Sequence, residues 1–581
     1  MKRKLGWFGL GFAGAELAAA NLPPLVCVPA AAFLALLAFW KRRRDVRIPL
    51  LGALCGLAWF ALFTLIFVQP CRALAGQTVT CTAVVETDAE ASYSDSRLRG
   101  TLRLTEIDGK PARLRVQCSS FPGESAGERF EASFALSSLP DNIYRLSRNS
   151  RGVYLQAEYL GSYRGLAASA APRFALFRLR QRWSAVLRRW LPKRLDGMEA
   201  AMLLADKSHL EDAVQQAFRA AGVSHLLAVS GLHLALLCGV LGFGRRWRFY
   251  KPLILLRGAA ALFYLLLTGA PVSVLRAGLV LAVALAGKFL LQPVDLLTST
   301  GFAAVLMGLL NAYAPCDIGF QLSFCAVLGV QAAAALTETE QCAAAQGKSG
   351  ALRLVCRLAE PVQVAALASL ATLPVLVAHG MSTSLVGIVC NVLVVWMLQP
   401  ALQMGILLLI FSAVPFLLPL VNLTGLALSL WLKAMLGIVE RCAALPFASV
   451  YLPQRYTLFV LAVLGALALY YWHGKGMRVY PIAALICTAA AVVMGIWMQR
   501  DVVEINLVGA SNNPCVVCVQ NGQAVVLFRG GESNLSAVER YLAGRSRQKP
   551  ALLVDLRARP TALDFAAAEV VTMQAQPGFD T

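Results

Sequence analysis

Ser224-His225-Leu226-Leu227-Ala228-Val229-Ser230-Gly231-Leu232-His233-Leu234-Ala235-Leu236-Leu237 sets two histidines, two serines and a glycine in a run otherwise as apolar as a membrane core. Polar and ionisable side chains inside a bilayer are costly, so they face a protein interior or a water-filled path. Read as one helix from about residue 223, the run places Ser230 and His233 about 60° apart, and His225 about 80° from His233. All three then share one face. Gly231 beside that face permits close approach of a second helix or a substrate.

The surrounding chain supports a membrane setting. Its 581 residues are 58% hydrophobic, and many runs approach the roughly 20 residues that cross the hydrocarbon core. The fold class expected is a polytopic α-helical membrane protein with an inserted small β-barrel (OB-like) domain and a short C-terminal α/β module. The net charge is +21. Cytoplasmic loops rich in Lys and Arg account for much of it. The rest suits a polyanionic partner, nucleic acid or acidic lipid.

Five segments follow in order. Residues 1–70 hold N-terminal transmembrane helices, at about 5–20, 24–40 and 48–69, with Asn21-Leu22-Pro23-Pro24 breaking the first two. Basic residues at 2–4 and 41–44 place that hairpin's ends in the cytoplasm. Residues 71–163 alternate polar and apolar positions in about five short runs, which reads as an external OB-like β domain. Such domains often bind single strands, but a structural ectodomain fits equally well. Residues 164–221 are a basic amphipathic linker suited to a membrane surface. Residues 222–499 are a helical membrane domain, with helices expected near 223–242, 252–269, 272–291, 297–313, 318–336, 361–379, 384–413 (one pass or two), 416–438, 456–472 and 479–498. Residues 500–581 read as strands near 502–507, 516–519, 524–528 and 551–556, with a helix at about 534–544.

The cysteines are mostly small hydrophobes within helices. Cys81 and Cys118 lie in the β domain, where a disulfide is possible if that domain faces outside. Cys515 and Cys518 have redox or zinc spacing, without a second pair.

Ser230 and His233 permit a nucleophile–base reading. No acid is placed to orient the histidine, and a Gly-x-Ser-x-Gly turn is lacking. Lining of a conduit, or helix–helix bonding, is the favoured reading. Arg276, Asn311, Asp317, Gln321 and Ser323 add polar groups to apolar surroundings. Each alone reads as an interhelical hydrogen bond; together they point to one polar cavity.

His225 to His233, Ser273-Val274-Leu275-Arg276-Ala277, and Asp317-Ile318-Gly319-Phe320-Gln321-Leu322-Ser323-Phe324 resemble, in order and spacing, three signature motifs of the ComEC family, the membrane channel of natural DNA transformation. The resemblance is strong over about 195–335 and extends by architecture over 1–500. It implies the external OB-like domain and a membrane domain passing one DNA strand inward. Many members end in a metallo-β-lactamase-like domain. Here Leu507 to Asn512 and Leu527 to Gly530 stand where its carboxylate-bearing runs would fall, and the carboxylates are missing. None of the five histidines lies beyond His473, so two-metal hydrolysis has no ligands in this tail.

The leading expectation is a multi-pass channel of the bacterial cytoplasmic membrane that imports single-stranded DNA, is not an enzyme, and uses no metal or cofactor. Its path is lined by His225, Ser230, Gly231, His233, Arg276, Asn311, Asp317, Gln321 and Ser323. Its partners are single-stranded DNA, membrane lipids, and a separate DNA receptor, nuclease and cytoplasmic motor, since no nucleotide-binding loop is recognisable. The alternatives are an intramembrane enzyme acting on a lipid-linked substrate and a non-transporting membrane scaffold.

Overall fold

The computed structural model describes residues 3–23, 27, 29, 44–86, 90–91, 98–122, 125–141, 145–240, 251–345, 350–445, 448–450, 502–509, 513–520, 523–544, 550–557 and 569–572. The expected helices at 24–40, 456–472 and 479–498, and the basic residues 41–43 and 245–248, lie outside them. The chain divides into two compact units, one of residues 1–214, 225–341 and 394–436, the other of 215–224, 342–393 and 437–581.

In the first unit, α1 (Lys4–Asn21) packs against α2 (Arg44–Phe63) through glycines. A β-carbon on Gly11, Gly52 or Gly56 would run into the facing backbone, at Pro49, Phe8 and Phe12 respectively. Small residues let membrane helices approach this closely and gain dispersion contacts that larger side chains would block. α2 continues through a π-helical turn, Thr64–Val68, and a last turn, Gln69–Arg72. It thus reaches the start of the β domain without a break.

That domain has strands β1 (Thr78–Val85), β2 (Leu98–Ile107), β3 (Lys110–Phe121), β4 (Arg129–Ser138) and β5 (Val153–Leu166). A two-residue strand, Glu90–Ala91, pairs with the start of β2. The pairings form a closed ring, β1–β4–β5–β3–β2–β1, in which only β3 and β5 run parallel. Burial alternates along β4, so Phe130, Ala132, Phe134 and Leu136 face the core while their neighbours face out. Phe121 joins Phe130 and Phe134 there. Each buried phenyl contributes on the order of 2 kcal/mol of apolar transfer.

The basic stretch after residue 164 is not a single surface segment. β5 runs to Leu166, and α3 (Pro172–Trp190) follows. The rest of the expected linker contains two helices, α4 (Leu195–Leu204) and α5 (Asp212–Ala220). Ala205, in the left-handed region at φ +58°, ends α4. A residue there turns the chain out of the helix. α4 is buried along almost its whole length, whereas α5 is amphipathic.

Next come α6 (Gly231–Val240), α7 (Lys251–Leu267), α8 (Val272–Phe289), α9 (Leu296–Leu310), α10 (Ile318–Ala345), α11 (Gly350–Ala378), α12 (Gly387–Ser412) and α13 (Leu418–Ala443). The stretch expected near 384–413 is thus one helix, Gly387–Ser412, despite Pro400. Among the described residues five spans are long and apolar enough to cross a membrane: Arg47–Arg72, Val272–Phe289, Glu360–Ala378, Gly387–Ser412 and Pro415–Ala443.

In the second unit, Gly222, at φ +73°, lies against Ser384 and Gly387. The tail is a five-stranded sheet: β6 (Glu504–Val508), β7 (Cys515–Gln520), β8 (Gln523–Phe528), β9 (Leu552–Asp555) and β10 (Val570–Thr572), in spatial order β10–β9–β8–β7–β6. One helix, α14 (Glu532–Gly544), covers it with Val538 and Leu542.

Candidate functional site

The stretch at 224–237 is not a continuous helix. Ser224–Leu226 is a 3₁₀ turn, the chain then opens, and α6 begins at Gly231. Ser230 is its cap. Its carbonyl accepts the first helical bond, from Leu234 N at 3.2 Å. His233, at the third helical position, reaches back: Nδ1 accepts from Ser230 N at 3.2 Å and lies 3.0 Å from Ser230 Oγ. This is the reach-back half of a capping box, with imidazole in place of the usual glutamate. A backbone amide can only donate, so Nδ1 carries the lone pair and the ring proton sits on Nε2. Nε2 is buried and has no partner among the described residues. The three-residue spacing of Ser230 and His233 is therefore first a helix-start device.

α8 approaches at Gly231, where a β-carbon would come within 2.9 Å of Ala277 Cβ and 3.7 Å of Arg276 Nη2. Ser273 Oγ donates to Val229 O at 3.1 Å, tying α8 to the open segment before α6. The Arg276 side chain is buried. Its Nη1 donates to Ser323 O on α10 at 2.9 Å, and its guanidinium lies 5.5 Å from the Phe324 ring centroid. Its Nε has no partner among the described residues. No carboxylate there pairs with it. A buried guanidinium held by a neutral carbonyl and a ring face keeps its positive charge uncompensated, which favours an anion in the same site.

The structure thus brings together Ser230, Gly231, His233, Arg276 and the Ser323 carbonyl, from three segments distant in sequence. It puts the other candidates elsewhere. His225 is exposed. Asp317 caps α10, accepting from Phe320 N at 3.0 Å. Gln321 Nε2 donates to Pro315 O at 2.9 Å, closing the turn before that helix. Asn311, just past α9, donates to Asn149 O at 2.9 Å and Ser150 O at 2.8 Å. It is a clasp between the helices and the β domain, not part of the Arg276 cluster. Cys81 and Cys118 are both free. They sit on strands that do not pair with each other, since Cys81 faces Ala132 and Ile107 while Cys118 faces Gly100 and Ala157. Burial pushes their thiols up, to about 12 and about 11.

Three features escape a reading by motif. Glu86 takes Arg103 at 2.7 Å, Arg173 at 3.4 Å and Arg115 at 3.7 Å. Glu16 on α1 and Glu199 on α4 are fully buried. The only sequence signal for these two was an isolated acid among apolar neighbours.

Among the described residues no group of three or more His, Cys, Asp or Glu is placed to hold a metal. In the tail, Asn534 Nδ2 donates to Asn513 O and Arg529 O, each at 2.7 Å. It sits between Gly509 and Gly530, both at positive φ. The run 510–512 lies outside the described residues.

A helical membrane protein with a buried, uncompensated arginine at the junction of three helices is the class these features define. Residues 202–476 match the model of the Competence protein family. A segment of 233 residues is 30% identical to ComE operon protein 3 of Bacillus subtilis (strain 168), covering 38% of this chain and 28% of that protein. The match therefore spans less than a third of that relative's length. No solved structure matches. Over residues 202–476 the chain thus resembles the Competence protein family.

Proposed function

We propose that this protein is a multi-pass channel of the cytoplasmic membrane that imports single-stranded DNA during natural transformation, without nuclease activity of its own. The observation that carries this reading is the Arg276 cluster. Three signature segments converge on a buried guanidinium with no carboxylate partner among the described residues. A phosphodiester is an anion such a group would hold, and a passing strand would exchange one phosphate for the next.

The closed ring of five strands supports an OB-like barrel, the small Greek-key type that often holds single strands. Asn534, bonded to the backbone at 513 and 529, supports a tail that has kept its fold without hydrolytic groups. The receptor, nuclease and motor are separate proteins in this reading.

Transformation with marked DNA tests it. A strain lacking the protein is expected to lose uptake, and Arg276→Ala to lower it about tenfold or more at normal protein level, a factor equal to about 1.4 kcal/mol. Normal uptake in the deletion strain would sink the proposal.

A further inference from the structure

Glu199 is 0% exposed, and both carboxyl oxygens are buried with no hydrogen-bond partner among the described residues. The carboxyl fills the place where a β-carbon on Gly405 of α12 would stand. No other residue type at 405 leaves room for it. α12 carries no charged residue along its length. On α7, Tyr264 is the titratable group that feels Glu199, and its hydroxyl donates to Leu203 O at 3.0 Å. Of the arginines on the neighbouring α3, Arg173 pairs with Glu86, Arg180 interacts with Asp206, and Arg188 lies 2.6 Å from His209. On α4 itself the nearest acid, Asp196, lies one turn away. A carboxylate buried without donor or cation is far costlier than the neutral acid. A cavity shaped to the carboxyl, yet offering it no bond, is unexplained by packing alone, since a methyl-bearing residue would fill it at no polar cost.

We propose that Glu199 is a proton-binding site of the membrane domain, holding its proton at rest and exchanging it with water that enters during transport. Release leaves a carboxylate and passes the proton to that water; rebinding restores the acid. Glu16 on α1, fully buried against Gly308 of α9 with both oxygens unpartnered, repeats the arrangement. It serves as an internal comparison. The role in transport rests on the channel reading above, but the proton site does not.

Dicyclohexylcarbodiimide provides the direct probe, because it adds across the O–H of a protonated carboxyl in an apolar site and leaves an acylurea. The full chain in native membranes is treated at neutral pH and its peptides are weighed. We expect an adduct on the Glu199 peptide that declines as pH rises and is absent in Glu199→Gln. No adduct on Glu199 at neutral pH overturns the proton site. The second readout is transformation. Glu199→Gln fills the cradle with a neutral group that cannot release a proton, and a roughly tenfold or greater loss of uptake at normal protein level is expected. Wild-type uptake in Glu199→Gln overturns the role in transport. Normal uptake in the deletion strain would instead refute the channel reading while leaving the labelling result intact.

Discussion

At Gly231 a single missing β-carbon decides whether α6 and α8 meet. Gly231→Val would press into Ala277 Cβ and should cost about 1–3 kcal/mol, the usual penalty for overpacking. A fall in the thermal midpoint of the detergent-solubilised protein would register it. His233 is constrained in a different way, because its Nδ1 is committed to the backbone of Ser230. The histidine was visible in the sequence, but its spacing from Ser230 suited a catalytic pair and a helix cap equally. Only the start of the helix at Gly231 separates the two. Cys81 and Cys118 are clearer still. Both are 1% exposed or less, and burial holds their thiols protonated well above neutral pH. They should resist maleimide at neutral pH in the folded protein and react once it unfolds. Rapid labelling of the native protein would contradict the buried core.

Among elements, the β domain was the most legible from sequence. Alternation with period two fixes which side of a strand faces inward, and the core places of Phe130 and Phe134 follow from it. Phe134→Ala should therefore cost about 3–5 kcal/mol, measurable as a shift in chemical unfolding. A small barrel was expected, but which strands close the ring was not legible, since that depends on β1 pairing with both β2 and β4 across some twenty and fifty positions of chain. The attachment of the domain is also a tertiary matter. Glu86 gathers arginines from β2, β3 and α3, and Glu86→Ala would leave three like charges facing one another. A loss of about 1–3 kcal/mol is expected, less than for a fully buried pair because the arginines are partly solvated. High salt should shrink that difference. Asn311→Ala removes both bonds to the 149–150 turn and should cost about 1–3 kcal/mol, seen as faster proteolysis of the β domain while the helices stay intact.

Over the whole molecule, apolar length was sufficient to indicate a helical membrane protein, because bilayer thickness and the cost of buried charge leave few alternatives for such a sequence, and the three motif runs carried the resemblance to the ComEC family. The same physics made Arg276 conspicuous. What the linear order could not contain was company. Asp317 and Gln321 looked equal to Arg276 as insertions, yet they close a turn, while Asn311 clasps the β domain. Glu16 and Glu199 attracted no notice as isolated acids and became prominent once Gly308 and Gly405 were seen to make room for them. Residue type and period follow from local chemistry, so the sequence alone indicated most of the strands and apolar helices that the structure describes, though not the break before Gly231. Which polar groups share one buried space depends on contacts between segments hundreds of residues apart, and the tertiary structure alone decided that.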